Sequence, residues 1–155
     1  IRQRLDRGVL LRQPLHPQPR PLHKPLCPSV SLSDTNHLIV QIGDSGGIET
    51  TGYVSASHDF TADTASAIGF VVRSGVAAYL IYGAMVLTKI DTNTWTSHHG
   101  VARNNAGTFN SHTGGGGKTL SAGPLDRIRL ATRTNGVDTA GSDTFDAGSI
   151  NIVYD

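Results

Sequence analysis

The chain is 155 residues long, holds one cysteine, Cys27, and carries a net charge of +1 from 13 basic and 12 acidic side chains. That length suits one domain and is enough to bury roughly 68–70% of the extended chain's surface, so neither disulfides nor a structural metal is needed for folding. A single thiol excludes an intrachain disulfide framework, and the near-zero charge balance predicts neither a nucleic-acid nor a membrane partner.

The average conceals two kinds of sequence. Residues 1–28 hold six basic residues against one acid, whereas residues 29–155 hold seven against eleven. Six of the seven prolines lie in the first stretch and seventeen of the eighteen glycines in the second. Ile1 to Leu11 shows no apolar core of a signal peptide. The longest apolar stretch, 75–87, lies between Arg73 and Lys89. It falls short of the ~20 residues that span a bilayer and is read as buried strand, so no membrane insertion is expected. Residues 12–28, RQPLHPQPRPLHKPLCP, can form neither helix nor central strand, because proline removes backbone donors and holds its predecessor extended. The segment is expected to be a disordered linker or a stretch translated out of frame. The alternative is a basic arm for SH3-like partners or nucleic acid. The boundary is placed after residue 33: an irregular Pro/Arg-rich segment over 1–33, then a folded domain over 34–155.

From Asn36 onward, short apolar runs alternate with Gly, Asn, Asp, Ser and Thr, the pattern of strands and turns. His37 to Ile42 alternates, with Leu38, Val40 and Ile42 on one side and Ile39 and Gln41 on the other. Thr51 to Ser57 is strand-like around Tyr53 and Val54, and Ile68 to Arg73 is rich in β-branched and aromatic residues. Ala78 to Ile90 is the most apolar stretch. Asn93 to Arg103 follows, with Trp95 and Val101. Leu125 to Thr134 sets Ile128, Leu130 and Thr132 against Arg127, Arg129 and Arg133, and the arginines are expected on a solvated face. Ser149 to Tyr154 alternates again. No window has the i, i+3, i+4 apolar spacing of a helix. The expected fold is all-β, a single jelly-roll-like β-sandwich of about seven or eight strands.

Three strings suggest chemistry that their surroundings do not support. Gly43 to Gly47 spells GDSGG, the surroundings of the serine nucleophile in chymotrypsin-like proteases. A histidine base and an orienting carboxylate are required, and too little chain precedes Ser45 to build the first barrel. His16, His23 and His37 are the only histidines before it. A glycine-rich turn between strands is expected instead. Gly114 to Thr119, GGGGKT, lacks the glycine that a P-loop needs where His112 stands, and Leu120 to Pro124 cannot open a long helix. It is read as a flexible turn. His98 and His99 are neighbours, so on a strand they point to opposite faces and cannot chelate one ion. Neither His58 and His112 nor the loosely spaced Asp138, Asp143 and Asp146 supply a zinc or calcium pattern. No metal, cofactor or catalytic residue is expected.

Several segments together carry a resemblance: LIVQIGDSGGIETTGY at 38–53, NTW at 93–95, GGGKTLSAGPLDRIR at 115–129, and DTFDAGSIN at 143–151. In this order they resemble tail, tail-fibre and minor structural proteins of tailed bacteriophages and prophages, over residues 36–155. The resemblance implies a β-sandwich module at the surface of a virion, with other virion proteins as partners, a host-surface glycan as candidate ligand, and a trimer by analogy. It carries no catalytic residues. Such proteins usually have further strand sequence where this chain has its Pro/Arg segment, which favours the frame-shift reading and implies that one or two strands are missing. Trp95, Tyr79 and Tyr82 are the candidate glycan-stacking aromatics, although at strand positions aromatic side chains generally belong to the core. The alternatives are a cellular carbohydrate-binding or adhesion sandwich and, last, a hydrolase.

Overall fold

The structure is a computed structural model that describes residues 10–12, 29–77, 79–105 and 107–153. Every element in it is a strand: β1 (Leu10–Arg12), β2 (Ser29–Leu32), β3 (His37–Asp44), β4 (Gly47–Ile48), β5 (Val54–His58), β6 (Asp63–Ser66), β7 (Phe70–Val72), β8 (Leu80–Lys89), β9 (Thr94–Asn105), β10 (Thr108–Thr119), β11 (Arg127–Arg133) and β12 (Phe145–Gly148). They form two antiparallel sheets. One has the order β1-β11-β3-β4, with β7 also paired to β3; the other has the order β12-β2-β8-β9-β10-β5-β6. The expected all-β sandwich is the fold found.

The core lies between the sheets. Leu38 of β3, Val72 of β7 and Leu130 of β11 meet Ile81 of β8, with Met85 and Val101 packed against them. A second cluster joins Ile42, Tyr53, Phe70 and Leu120, with Trp95 against it. The Tyr53 ring meets Phe70 edge-on at 5.1 Å between centroids. Its hydroxyl donates to the Ile42 carbonyl at 3.1 Å and accepts the Ile42 N–H at 2.7 Å, so its one polar atom is satisfied where it is buried. A second device closes a corner of the sandwich. Strand β7 has β3 on only one side, which leaves alternate N–H groups without a ladder partner. Ser55 Oγ accepts the Val71 N–H at 2.9 Å and Ser57 Oγ accepts the Arg73 N–H at 3.2 Å. Serine is therefore buried at both positions because the other sheet's edge needs acceptors there.

Five expectations are corrected. The domain does not begin at residue 34: β2 pairs with β8 and β12, and Val30 and Leu32 are buried. Within the supposedly irregular segment, β1 also pairs with β11. The linker and frame-shift readings of 13–28, with His16, His23 and Cys27, lie outside the described residues. GGGGKT is no turn but part of β10, paired on both sides over residues 113–117. The apolar stretch in β8 is mostly not buried; Ile81 faces the core, while Ala84 and Val86 face outward. Among the described residues the last strand is Phe145–Gly148; residues 149–153 of the expected Ser149 to Tyr154 strand form none, Ile150 making only a single bridge, and Tyr154 lies outside the described residues. Finally, the arginines of β11 do not line a wet face. Arg129 donates to Gln41 Oε1 at 2.8 and 2.5 Å. Arg133 is buried, with Nε 3.0 Å from Asp138 Oδ1. Their partners lie off the strand, Gln41 on β3 and Asp138 in the loop after β11, where strand alternation does not reveal them.

The glycine run in β10 is explained by close approach. A Cβ at Gly114 would meet the Ala56 carbonyl oxygen and stand 2.5 Å from His99 Cε1. Gly43 is confined in the same way, a Cβ there meeting the Gly47 carbonyl and coming within 2.7 Å of Ile48 Cα. In an ordinary strand, replacing glycine by alanine adds stability. At Gly114 the sign reverses: Gly114→Ala is expected to lower the unfolding free energy by about 1–3 kcal/mol through overpacking. Urea titration reads this directly, and an unchanged or raised midpoint would contradict the packing.

Candidate functional site

Alternation along the larger sheet sends every second residue outward. The register sets these residues in rows. One row across β8, β9, β10 and β5 reads Val86, His98, Gly115, Ala56, and the next reads Ala84, Gly100, Thr113, His58. Above them lie Tyr82, Ala102 and Ser111, and then Leu80, Asn104 and Phe109. Below are Thr88, Thr96, Gly117 and Val54. Strand β6 adds Ala65 and Asp63 opposite Ala56 and His58. Asp63 is the one charged side chain on this outward face of β8, β9, β10, β5 and β6, and His58 Nδ1 lies 2.6 Å from its Oδ1. Soluble domains carry about 25% charged residues, mostly at the surface, and this chain carries 16%. A broad sheet face of Gly, Ala, Ser and Thr, with Val54 78% and Phe109 71% exposed at its margins, is built unlike a solvated surface.

One wall of this face is a fixed aromatic. Phe60, in the loop between β5 and β6, is 84% exposed. Its neighbour Asp59 is buried, and Asp59 Oδ1 accepts the Thr61 N–H at 2.9 Å, the Thr61 hydroxyl at 2.6 Å and the Ala62 N–H at 2.9 Å. Its other oxygen pairs with Arg73 and, at 3.4 Å, with Arg103. Burial opposes ionisation of Asp59, but these hydrogen bonds and the Arg73 charge outweigh it and hold the carboxyl well below the usual carboxylate range. The loop is thereby locked, and Phe60 is held out beside a shallow cleft of about 400 Å³ lined by His58, Gly100, Ala102, Ser111 and Thr113. An aromatic ring next to hydroxyls and an imidazole can stack on a sugar ring or seat an apolar side chain.

The aromatics expected from the sequence do not share a site. Trp95 packs on the core, and its indole N–H has no partner. Tyr79 is half-buried beneath the Arg103 guanidinium, 4.7 Å from its ring centroid. Tyr82 is half-buried on the outward face, opposite Ala102. Trp95 stands opposite Lys89, on the other face and seven residues along the strand from Tyr82, roughly 23 Å away at ~3.3 Å per residue. Phe60 was missed because it is a lone aromatic in a polar loop; the signal was the Asp-x-Thr spacing of 59–61, which locks such loops.

The other strings also resolve. Ser45 lies in the exposed turn between β3 and β4, as expected of a glycine-rich turn. His37 opens the same strand that ends at Asp44, and its Nδ1 accepts the Ser74 N–H at 3.2 Å. It is therefore about 26 Å from Ser45 at ~3.3 Å per residue, far beyond the reach of a general base. Lys118 is buried and paired with Glu49, so it is not presented to a phosphate. His98 is exposed and His99 buried, on opposite faces as adjacent strand residues must be; His99 Nε2 lies 3.1 Å from Ser57 Oγ. His112 is buried with both ring nitrogens unpartnered.

The three aspartates of the last third are separate clasps. Asp138 accepts from Ser66 Oγ, the Ala67 N–H and Arg133, Asp143 from Asn36, and Asp146 from Ser31. Among the described residues, no group of three His, Cys, Asp or Glu side chains is placed to hold a metal ion. In comparisons with known proteins, no family model, no curated protein and no solved structure matches the chain.

Proposed function

We propose that the chain is a non-enzymatic structural or host-attachment module of a tailed-phage particle, and that it engages its partner through the outward face of the larger sheet. The observation that carries this reading is the near-absence of charge across five adjacent strands, with Asp63 as the one exception and His58 beside it. Nucleic acid and anionic glycans demand cationic side chains, which this face lacks. A broad, uncharged surface of mostly small residues fits a second protein surface of matching relief. The resemblance supports the setting: its GDSGG string forms the β3–β4 hairpin, and its DTFDAGSIN string supplies β12 at one margin of the larger sheet.

A second reading, a cellular carbohydrate-binding or adhesion module, is favoured by Phe60 lining the same cleft as Ser111 and Thr113. The genes beside the coding sequence separate the two. Portal, tape-measure or other tail genes are expected. Secretion or cell-wall genes would overturn the virion reading in favour of the cellular one.

A further inference from the structure

We infer that the occupant of the outward face is a second copy of this chain, packed sheet against sheet across a two-fold axis running along the strands between β9 and β10. The inference rests on the reading that this face is the binding surface and names its partner.

A two-fold interface sets one patch against itself, so any net charge on the patch repels its own copy. Self-association therefore selects for a face without charge, whereas a partner of different sequence is free to match charge with opposite charge. This face has the composition that self-association requires, and its lone acid is at the margin, 2.6 Å from a histidine nitrogen.

The relief is also complementary to its own reverse. The row Val86, His98, Gly115, Ala56 runs from large to small. The proposed axis turns that row end for end, so Val86 of one copy faces Ala56 of the other and His98 faces Gly115. The adjacent row, Ala84, Gly100, Thr113, His58, runs from small to large. Its reversal sets His58 over Ala84 and Thr113 over Gly100. Two neighbouring rows with opposite gradients, each filled by its own inversion, give the interdigitation by which sheets pack face to face.

The size agrees. The 43 residues of β8, β9, β10, β5 and β6, at ~3.3 Å rise and ~4.8 Å strand spacing, span roughly 700 Å². That is about the area each partner contributes to a standard specific interface. A face-to-face pair closes with two copies, so it differs from the trimer that the phage resemblance implies.

The test is the mass of the full chain in solution, by light scattering or sedimentation over a wide concentration range. Gly100→Glu is the decisive variant, because a Cβ at Gly100 meets nothing within 4 Å and the fold tolerates the substitution. Ala102→Glu, on an exposed outward position, is the second should the first misfold. Twice the 16.4 kDa chain mass is expected for the wild type. Either variant should weaken the pair about 100-fold or more, with an unchanged circular dichroism spectrum. A monomeric or trimeric wild type, or a dimer indifferent to both variants, overturns the inference. A monomer that is nevertheless incorporated into virus particles would overturn the second copy alone. A dimer absent from such particles would leave this interface standing and defeat the virion reading.

Discussion

Replacing Lys118 with methionine is expected to lower the unfolding free energy by about 3–5 kcal/mol, because it leaves a buried carboxylate without its partner. Lys118 and Glu49 side chains are 7% and 17% exposed. The ammonium also lies 5.3 Å from the Tyr53 ring centroid. Glu49 Oε1 further accepts the Ser121 N–H at 2.6 Å and the Ser121 hydroxyl at 2.7 Å. Burial opposes ionisation of Glu49, but the Lys118 hydrogen bond and the two from Ser121 outweigh it, and its pKa is lowered. Removing the cation reverses that balance. The double variant Lys118→Met with Glu49→Gln should recover much of the loss, since an apolar or neutral replacement of both partners is often near neutral. Chemical denaturation of the four proteins in this cycle gives the coupling. A Lys118→Met loss below about 1 kcal/mol would mean that the pair is effectively solvated.

Acidification from pH 7 to pH 5 is expected to remove most of the domain's stability. His37, His99 and His112 are buried, and each has its pKa lowered to about 4. Burial is the main cause for all three. Arg133, Arg73 and Arg103 add repulsion at His37, with Asn135 opposing; His98 adds to it at His99. At His112, Arg103, Arg73 and His99 add repulsion while Asp59 opposes. A folded-state pKa below the unfolded value near 6.5 means that the folded state resists protonation. The stability is therefore complete above about pH 6.5 and is lost as the pH falls toward 4. By pH 5 each histidine has forfeited roughly 1–2 kcal/mol, and since His99 and His112 repel each other the three together remove several kcal/mol rather than a simple sum. That is comparable to the lower end of the usual 5–15 kcal/mol for a whole domain. The carboxylates act in a lower window: Asp59 and Glu49 have depressed pKa values, so their contribution fails only as the pH drops below the ordinary carboxylate range. Thermal melts at pH 7.5, 6 and 5 separate the two, and His112→Gln should flatten the first phase by about a third. Equal melting temperatures at pH 7 and 5 would contradict the burial of neutral imidazoles in the sandwich.

Much of the fold was legible because strand periodicity is local. Leu38, Val40 and Ile42 alternate in sequence and form β3, and the alternation of 127–133 forms β11. What failed was the meaning of residues whose partners lie off their own strand, as distant as Gln41 is from Arg129 or in the next loop as Asp138 is from Arg133. Arg129 and Arg133 have the pattern of a solvated stripe, but Gln41 and Asp138 withdraw them from water. Glycine marks both turns and places where two backbones approach, and Gly114 to Gly116 are of the second kind. Within 80–119 the charged residues are Lys89, Asp91, Arg103 and Lys118. Asp91 lies between strands, and the other three have the core-facing parity of Trp95 and Ser97. That regularity was present in the sequence, but it carries meaning only once β8, β9 and β10 have their register.

If the chain is, as proposed, a component of a virus particle that assembles through the uncharged face of its larger sheet, quantitative mass spectrometry of particles purified from a culture of the virus or induced prophage will show it, with the native gene compared against the Gly100→Glu allele. The chain is expected in native particles at a fixed ratio to a tail protein and strongly depleted from the variant particles. Its absence from native particles, or recovery from the cell envelope instead, would contradict the claim.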